Sequence, residues 1–161
     1  MLKRVIVEGP DCSGKSTLVN QLKNSLKWDA KSLHHIEGDQ FTRYLREYAF
    51  TENIIFDRSH ISEEVYSTLW RKGTPFHEKE KEVLDKILGI DSLIIFACPD
   101  TKTLKERYSS RDYPQQISYG ELGKSRELFL GELSKHSHWI YLSKSYEELD
   151  SLIKKVQEKL K

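Results

Sequence analysis

Residues 9–16 read GPDCSGKS, and this stretch decides most of what the chain can be. The apolar residues 5–7 (VIV) precede it, and a helical pattern begins at about residue 15. The sequence G-x-x-x-x-G-K-[ST] between a strand and a helix is the phosphate-binding loop. Its glycines let the backbone turn tightly, so that successive N–H groups and the start of the helix face phosphate oxygens.

The loop gives its side chains distinct roles on a nucleoside triphosphate. Lys15 reaches the β- and γ-phosphates, and the hydroxyl of Ser16 holds Mg²⁺. We therefore predict ATP and Mg²⁺ as the cofactors. The other residues predicted to contact ATP are Gly9, Asp11, Cys12, Ser13, Gly14 and Thr17.

Length and composition favour one soluble globular domain spanning residues 1–161. Charged residues make up 32% of the chain and hydrophobic residues 37%, as is usual for globular enzymes. The formal net charge of +1 provides no global basic field for nucleic acid. Two cysteines, Cys12 and Cys98, do not make a disulfide framework, and no apolar run reaches the roughly 20 residues of a membrane span. We expect a cytoplasmic protein, in the host cytoplasm if a phage encodes it.

Strand and helix patterns alternate along the whole chain. The predicted strands are residues 4–8, 33–37, 53–56, 92–97 and 139–142. Four predicted helices are residues 15–27, 40–50, 61–71 and 119–135. Another runs from Thr74 and Pro75, at its first turn, to Gly89. Asp100 caps a further helix, and the last helix begins with a capping box of Ser145 and Glu148. This alternation predicts an α/β fold of three layers, the P-loop NTPase fold, with five parallel strands and helices on both faces.

Charged residues follow the predicted strands, at the edge of the sheet where ligands of such folds bind. Asp57 directly follows the third predicted strand and is a candidate to hold Mg²⁺; alternatively it caps the next helix. Arg58 is a candidate to grip an acceptor phosphate or the transferring group, or else forms a structural salt bridge. Glu37 is a candidate to accept a proton from an acceptor hydroxyl or to bind metal, unless it is a solvated loop residue.

Two arginines mark a predicted lid at about residues 107–118. Arg107 and Arg111 are four residues apart and share one face of a helix, and this helix fails at residues 112–114. Arginines at the start of a polar loop are typical of a lid, a segment that closes over the substrate and contacts the triphosphate oxygens. The alternative is a solvated basic end of a helix.

Aromatic residues lie on the helices beside this edge of the sheet. We expect most of them in the core, and we single out Tyr44 and Tyr66 as candidates to stack on a planar base.

Residues 8–17 (EGPDCSGKST), residues 57–59 (DRS) and the arginine-bearing lid together resemble the thymidylate kinase and deoxynucleoside kinase group. The compact thymidylate-kinase-like proteins of bacteriophages are the most similar in size and in residues 56–66. The chain departs from the pattern at Cys12, in its short length, and in a lid with few arginines. It also has Glu37-Gly38 where the group has a Glu-Pro pair.

The resemblance implies a role for each matching residue. It implies that Asp11 contacts the sugar 3′-hydroxyl, that Arg58 grips the acceptor phosphate, and that Asp57 lies beside the metal. It places Glu37 at the general base position. It also implies that Arg107 and Arg111 are the lid arginines.

The motifs and the resemblance lead to one function and several alternatives. The leading hypothesis is ATP- and Mg²⁺-dependent phosphoryl transfer to a deoxynucleoside monophosphate, with thymidylate as the first candidate. The alternatives are a deoxynucleoside kinase, a kinase acting on a hydroxymethylated pyrimidine in DNA, and an ATPase switch without an acceptor. The expected partner is a small nucleotide or nucleoside; nucleic acid is less favoured, no membrane is expected, and a homodimer is compatible with the sequence.

Replacing Lys15 tests the predicted donor site. We expect Lys15→Met to abolish phosphoryl transfer, because the variant loses the cation on the β- and γ-phosphates, while the fold is retained. Turnover is measured with labelled ATP, and circular dichroism provides the control for folding. Turnover equal to that of the unaltered protein would contradict the assigned role.

Overall fold

The computed structural model describes residues 2–71, 73–112, 116–136, 138–142 and 149–160. Five parallel strands form one sheet in the order β2-β3-β1-β4-β5. The strands are β1 (Arg4–Glu8), β2 (Asp29–Ser32), β3 (Ile54–Asp57), β4 (Ser92–Ala97) and β5 (Trp139–Leu142). The predicted five-stranded parallel sheet is thus confirmed. Its central strand, β1, leads directly into the phosphate-binding loop.

Seven α-helices are described around this sheet. They are α1 (Lys15–Leu26), α2 (Gln40–Phe50), α3 (His60–Tyr66), α4 (Glu78–Asp91), α5 (Thr101–Ser109), α6 (Leu122–Leu133) and α7 (Leu149–Leu160). A π-helical segment, Ser67–Arg71, continues α3, and a short 3₁₀ turn, Tyr119–Glu121, precedes α6. In the part of the chain that the structure describes, no helix has both the length and the apolar character needed to cross a membrane.

The core consists of two apolar layers, one on each face of the sheet. Alternate side chains of β1 enter opposite layers, with Val5 and Val7 on one face and Ile6 on the other. The layer around Val5 and Val7 packs against α1 and α7, whereas the layer around Ile6 packs against α2, α3, α4 and α6. Because both faces of β1 are covered, all five of its residues are buried.

The second strand lies four residues earlier than predicted. We expected residues 33–37, but β2 is Asp29–Ser32, an edge strand whose side chains are mostly exposed. Backbone pairing with β3 fixes this strand, so its own side chains carry no apolar signal. The N–H of Leu33 donates to the carbonyl of Asp57, and the chain then leaves the sheet. Similarly, β3 ends one residue later than predicted, at Asp57.

Tertiary contacts also change the predicted bounds of α4. Thr74 does not cap it; the helix begins at Glu78 with His77 as its N-cap, and the Thr74 hydroxyl accepts from the N–H of Phe76 instead. Gly89 does not end it, because the helix continues to Asp91. The carboxylate of Asp91 pairs with the buried Arg4 side chain, which holds this last turn against β1.

Two predicted features fall partly or wholly on residues that the structure does not describe. The capping box of Ser145 and Glu148 lies outside the described residues, although α7 begins at Leu149. Residues 113–115 of the predicted lid also lie outside them. The described lid residues 110–112 and 116–118 contain no helix or strand, and Arg107 belongs to α5.

Gly9 is required by the close approach of the phosphate-binding loop to β4. Its φ angle is +142°, and an added Cβ would lie 2.2 Å from the carbonyl oxygen of Ala97. We therefore expect Gly9→Ala to lower the free energy of unfolding by at least about 2 kcal/mol. Urea denaturation measures the effect.

Gly131→Ala provides the matched control. Gly131 lies inside α6, and an added Cβ meets no atom within 4 Å. This variant should leave stability unchanged or raise it by up to about 1 kcal/mol, because alanine favours the helix. Equal stabilities of the two variants would contradict the packing argument for Gly9.

Candidate functional site

The phosphate-binding loop joins β1 to α1 and curls around the start of that helix. Cys12 and Gly14 both have positive φ angles, 66° and 92°. Such alternation turns backbone N–H groups toward a common centre, the arrangement that binds anions. Gly14 is the N-cap of α1, and Ser16 and Thr17 are exposed in its first turn. The predicted ATP-contacting residues thus surround the start of one helix.

Lys15 is folded over the loop that carries it. Its Nζ donates to the carbonyl oxygens of Gly9 at 2.9 Å and Pro10 at 2.7 Å. Burial, and secondly the nearby charge of Arg58, lowers the pKa of Lys15 to about 8. A triphosphate that engages Lys15 has to replace these two carbonyl acceptors with phosphate oxygens.

Arg107 lies against the same loop. Its guanidinium donates to the carbonyl oxygen of Ser13 at 2.9 Å, and more weakly to that of Cys12 at 3.4 Å. Arg111 is close enough to Cys12 to influence its pKa, although burial raises the pKa of this thiol overall. Both predicted lid arginines are therefore near the donor side of the site.

A cavity of about 550 Å³ adjoins the loop on its other side. We call it the α3 cavity, because Ser62, Glu63 and Tyr66 of α3 form one wall. The π-helical segment adds Trp70 and Arg71, and the remaining described residues of the wall are Asp11, Leu33, His34, His35, Arg58 and Gln116. A cavity of this size accommodates a small organic molecule.

An ion pair between Arg58 and Asp11 forms part of the wall of the α3 cavity. The guanidinium and the carboxylate are 2.5 Å apart, and the guanidinium lies over the ring of Tyr66, 5.1 Å from its centroid. Burial alone would raise the pKa of Asp11, but the charges of Lys15 and Arg58 hold it below its ordinary value. Arg58 has a φ angle of +79°, an unfavourable conformation for a side chain of this size.

Ser16 and Asp57 are the described residues that fit a magnesium ion. The carboxylate of Asp57 ends β3, next to the loop, and its Oδ1 is buried without a hydrogen-bond partner. Mg²⁺ prefers hard oxygen ligands and keeps several waters, so that one carboxylate and one hydroxyl suffice from the protein. Within the described residues, no group of three or more His, Cys, Asp or Glu side chains could hold a metal ion.

The sequence did not reveal a second ion pair in the α3 cavity. Glu63 is almost fully buried, and its Oε1 lies 2.6 Å from the guanidinium of Arg71 and 2.8 Å from Nδ1 of His35. Arg71 reaches this position because it lies at the end of the π-helical segment. No pattern in the sequence predicted that segment. The position of Glu63 could have been predicted, because it lies three residues before Tyr66 on one helix, and Tyr66 had been singled out from the sequence.

Of the two singled-out tyrosines, only Tyr66 lines the α3 cavity. Its ring is stacked on that of Trp70, with centroids 4.7 Å apart. Tyr44 has no exposed surface and lies in the core, where its hydroxyl bonds to the carbonyl oxygen of Leu33. This placement corrects the expectation that its ring is available for stacking on a base.

The structure does not bring Glu37 into the wall of the α3 cavity. Its side chain is exposed in the segment that follows β2, where only the preceding Leu33, His34 and His35 reach the cavity. The strand β2 ends at Ser32, earlier than predicted, so that Glu37 lies five residues beyond the end of the strand. Its role as a general base stays a prediction.

Comparisons with known proteins agree with this architecture. No protein-family model matches the chain. A curated relative, described as the SPbeta prophage-derived uncharacterized protein YorR of Bacillus subtilis (strain 168), is 23% identical over 112 residues, 66% of this chain and 68% of the relative.

Solved structures extend the likeness over nearly the whole chain. A crystal structure of YorR protein from Bacillus subtilis in complex with phosphorylated GDP superimposes with a TM-score of 0.83 at 20% identity, covering 98% of this chain and 95% of that one. A deoxyadenosine kinase from M. mycoides, with products dCMP and dCDP, gives a TM-score of 0.60 at 18% identity and covers 98% of both chains. Together with the loop between β1 and α1, these likenesses establish an α/β P-loop NTPase fold.

The lowered pKa of Lys15 predicts a pH dependence of ATP binding. Phosphates bind the protonated amine, so affinity should be constant well below pH 8 and fall as the pH rises through about 8, where the unliganded amine loses its proton. Calorimetric titration with ATP and Mg²⁺ between pH 6.5 and 9.5 measures this. The Lys15→Met variant, which has no such proton, is the control; an equal decline in both proteins would contradict the assignment.

Proposed function

We propose that this protein is a kinase that transfers the γ-phosphoryl group of ATP to the 5′-hydroxyl of a deoxynucleoside. One observation supports this proposal above the others. The phosphate-binding loop carries Lys15 on its donor side, while Asp11 of the same loop faces a separate cavity large enough for a nucleoside. A two-sided loop of this kind brings a phosphoryl donor and an acceptor together, which is most of what phosphoryl transfer requires.

The charges of the α3 cavity favour a neutral acceptor. Arg58 is paired with Asp11, and Arg71 with Glu63, so the four formal charges sum to zero. An acceptor that carried a phosphate group of about −1.5 to −2 charge would have to share these arginines with their carboxylate partners. A hydroxyl acceptor requires no such exchange when it binds, and Arg58 would engage the phosphoryl group only during transfer. The likeness to a deoxyadenosine kinase is consistent with this choice.

A deoxynucleoside monophosphate, with thymidylate first, is the second candidate acceptor. The observation that favours it is the position of Arg58, which lines the α3 cavity and whose guanidinium contacts Asp11 of the loop. A guanidinium suits a phosphate group because it offers several N–H donors in one plane. This candidate keeps the role that the resemblance implied for Arg58.

The residues of the chain perform three tasks in the proposed reaction. Lys15 and the N–H groups of the loop bind the donor phosphates, with Arg107 closing the donor side. Arg58 stabilises the negative charge of the transferring phosphoryl group, and Asp11 binds the sugar of the acceptor. Ser16 and Asp57 would hold Mg²⁺, which when bound neutralises charge on the β- and γ-phosphates.

A panel of acceptors tests the proposal. The protein is mixed with labelled ATP, Mg²⁺ and the four deoxynucleosides, their monophosphates, or an oligonucleotide containing a hydroxymethylated pyrimidine. We expect labelled monophosphate from at least one deoxynucleoside. Label on a monophosphate alone selects the second candidate, label on the oligonucleotide selects a DNA kinase, and no labelled product rejects kinase function.

Arg58→Ala distinguishes the two small-molecule candidates. For a deoxynucleoside acceptor, we expect kcat to fall by about 100-fold with a small change in the acceptor KM, because Arg58 acts mainly in the transition state. For a monophosphate acceptor, the acceptor KM should rise as well. An increase confined to the KM of ATP would assign Arg58 to the donor.

A further inference from the structure

Glu8 is a buried charged residue to which the proposed reaction has so far given no part. It is the last residue of β1 and directly precedes Gly9 of the phosphate-binding loop. Its side chain has no exposed surface, and burial raises the pKa of its carboxyl. Burying a carboxylate is costly unless its oxygens are satisfied, so the partners of Glu8 indicate why this residue is tolerated there.

All the hydrogen bonds described for Glu8 come from the start of α3. The hydroxyl of Ser59 donates to its Oε1 at 2.5 Å, and the backbone N–H of Ser62 donates to the same oxygen at 3.3 Å. The hydroxyl of Ser62 donates to Oε2. One carboxylate therefore joins the end of the central strand to two residues in the first turn of a helix.

Of the two residues joined to Glu8, Ser62 lines the α3 cavity and Ser59 adjoins a residue that does. Arg58 immediately precedes Ser59, and Glu63 immediately follows Ser62. The N–H of Arg58 also donates to the carbonyl oxygen of Val7, at 3.1 Å, so β1 holds Arg58 through its backbone as well. These ties keep Arg58 in its unfavourable left-handed conformation.

The charge of Glu8 has a second effect, on the two cations beside it. Lys15 and Arg58 both lie close enough to Glu8 to lower the pKa that burial raises. The pKa of Lys15 is lowered first by burial and secondly by the charge of Arg58, so the two cations repel each other. A carboxylate fixed between the strand and the helix reduces that repulsion without occupying the α3 cavity.

We propose that Glu8 is a positioning residue for phosphoryl transfer, which fixes the acceptor-binding face of α3 in register with the phosphate-binding loop. This inference rests on the proposed function, because it presumes an acceptor bound beside α3. Glu8 itself touches neither substrate. Its effect passes through Ser59 and Ser62 to Arg58, Glu63 and Tyr66, so removal of Glu8 should impair the acceptor more than ATP.

The test combines Glu8→Gln with Ser62→Ala in a double-mutant cycle. Glutamine keeps the shape of the side chain but replaces one accepting oxygen with an NH₂ group and removes the charge. We expect Glu8→Gln to raise the acceptor KM about tenfold, as the loss of a charged hydrogen bond does, with the KM of ATP changed less than about threefold. Steady-state kinetics with each substrate varied in turn measures the difference.

The cycle separates positioning from direct contact, because Ser62 also lines the α3 cavity. If Ser62 acts through Glu8, Ser62→Ala should raise the acceptor KM severalfold in the unaltered protein and less than about twofold in the Glu8→Gln background. Glu132→Gln is the matched control, since Glu132 is another buried glutamate, on α6, paired with Lys135. It should lower the melting temperature without changing either KM.

Two results would overturn the inference while leaving the proposed function intact. One is an equal change in the KM of ATP and of the acceptor in Glu8→Gln, and the other is strictly additive effects of the two substitutions. If Glu8→Gln does not fold, Ser59→Ala carries the test, because Ser59 donates to the same carboxylate without lining the α3 cavity; a raised acceptor KM supports the role of this hydrogen bond and an unchanged one rejects it. If the unaltered protein phosphorylates no acceptor, the proposed function fails first and the inference fails with it.

Discussion

The pairing of β1 with β3 on one side and β4 on the other is the constraint on which the site depends. Because the three strands are parallel and in register, their carboxyl ends lie at one edge of the sheet. The phosphate-binding loop, Asp57 with Arg58, and Cys98 with Pro99 therefore leave the sheet side by side. The approach of Gly9 to Ala97 is the tightest point of this arrangement. The core on both faces keeps β1 central, and so keeps the loop in place.

Charge pairing is the second organising feature of the site. Four carboxylates (Glu8, Asp11, Asp57 and Glu63) lie close to three cations (Lys15, Arg58 and Arg71). Burying a charged side chain is costly unless an opposite charge lies beside it. The ion pairs Arg58–Asp11 and Arg71–Glu63 meet this requirement, and each also fixes the orientation of its two side chains. In the proposed reaction the substrates would meet charges that are already held in place, which is the electrostatic preorganisation that phosphoryl transfer demands.

Much of this architecture was predictable from the sequence, for reasons that differ between elements. The buried strand β4 and the helix α2 were predicted at their observed bounds, because apolar runs and a capping residue mark them. The edge strand β2 was misplaced, since pairing with β3 and not its own exposed side chains defines it. The phosphate-binding loop is a local motif and was evident, whereas the pair of Glu63 and Arg71 depends on a π-helical turn that no periodicity reveals.

The π-helical segment Ser67–Arg71 has an implication for how such a cavity diversifies. The hydrogen bonds of a π-helix span five residues, one more than those of the α-helix that precedes it, so a π-helical turn accommodates an extra residue. Deleting a single residue there would favour α-helical geometry and shift the side chains of this segment around the helix axis. Trp70 and Arg71 belong to this segment and line the α3 cavity, so the deletion would reshape that wall while the phosphate-binding loop stayed intact. Under the proposed function, such a one-residue change in length would alter the acceptor site and leave the donor site as it is.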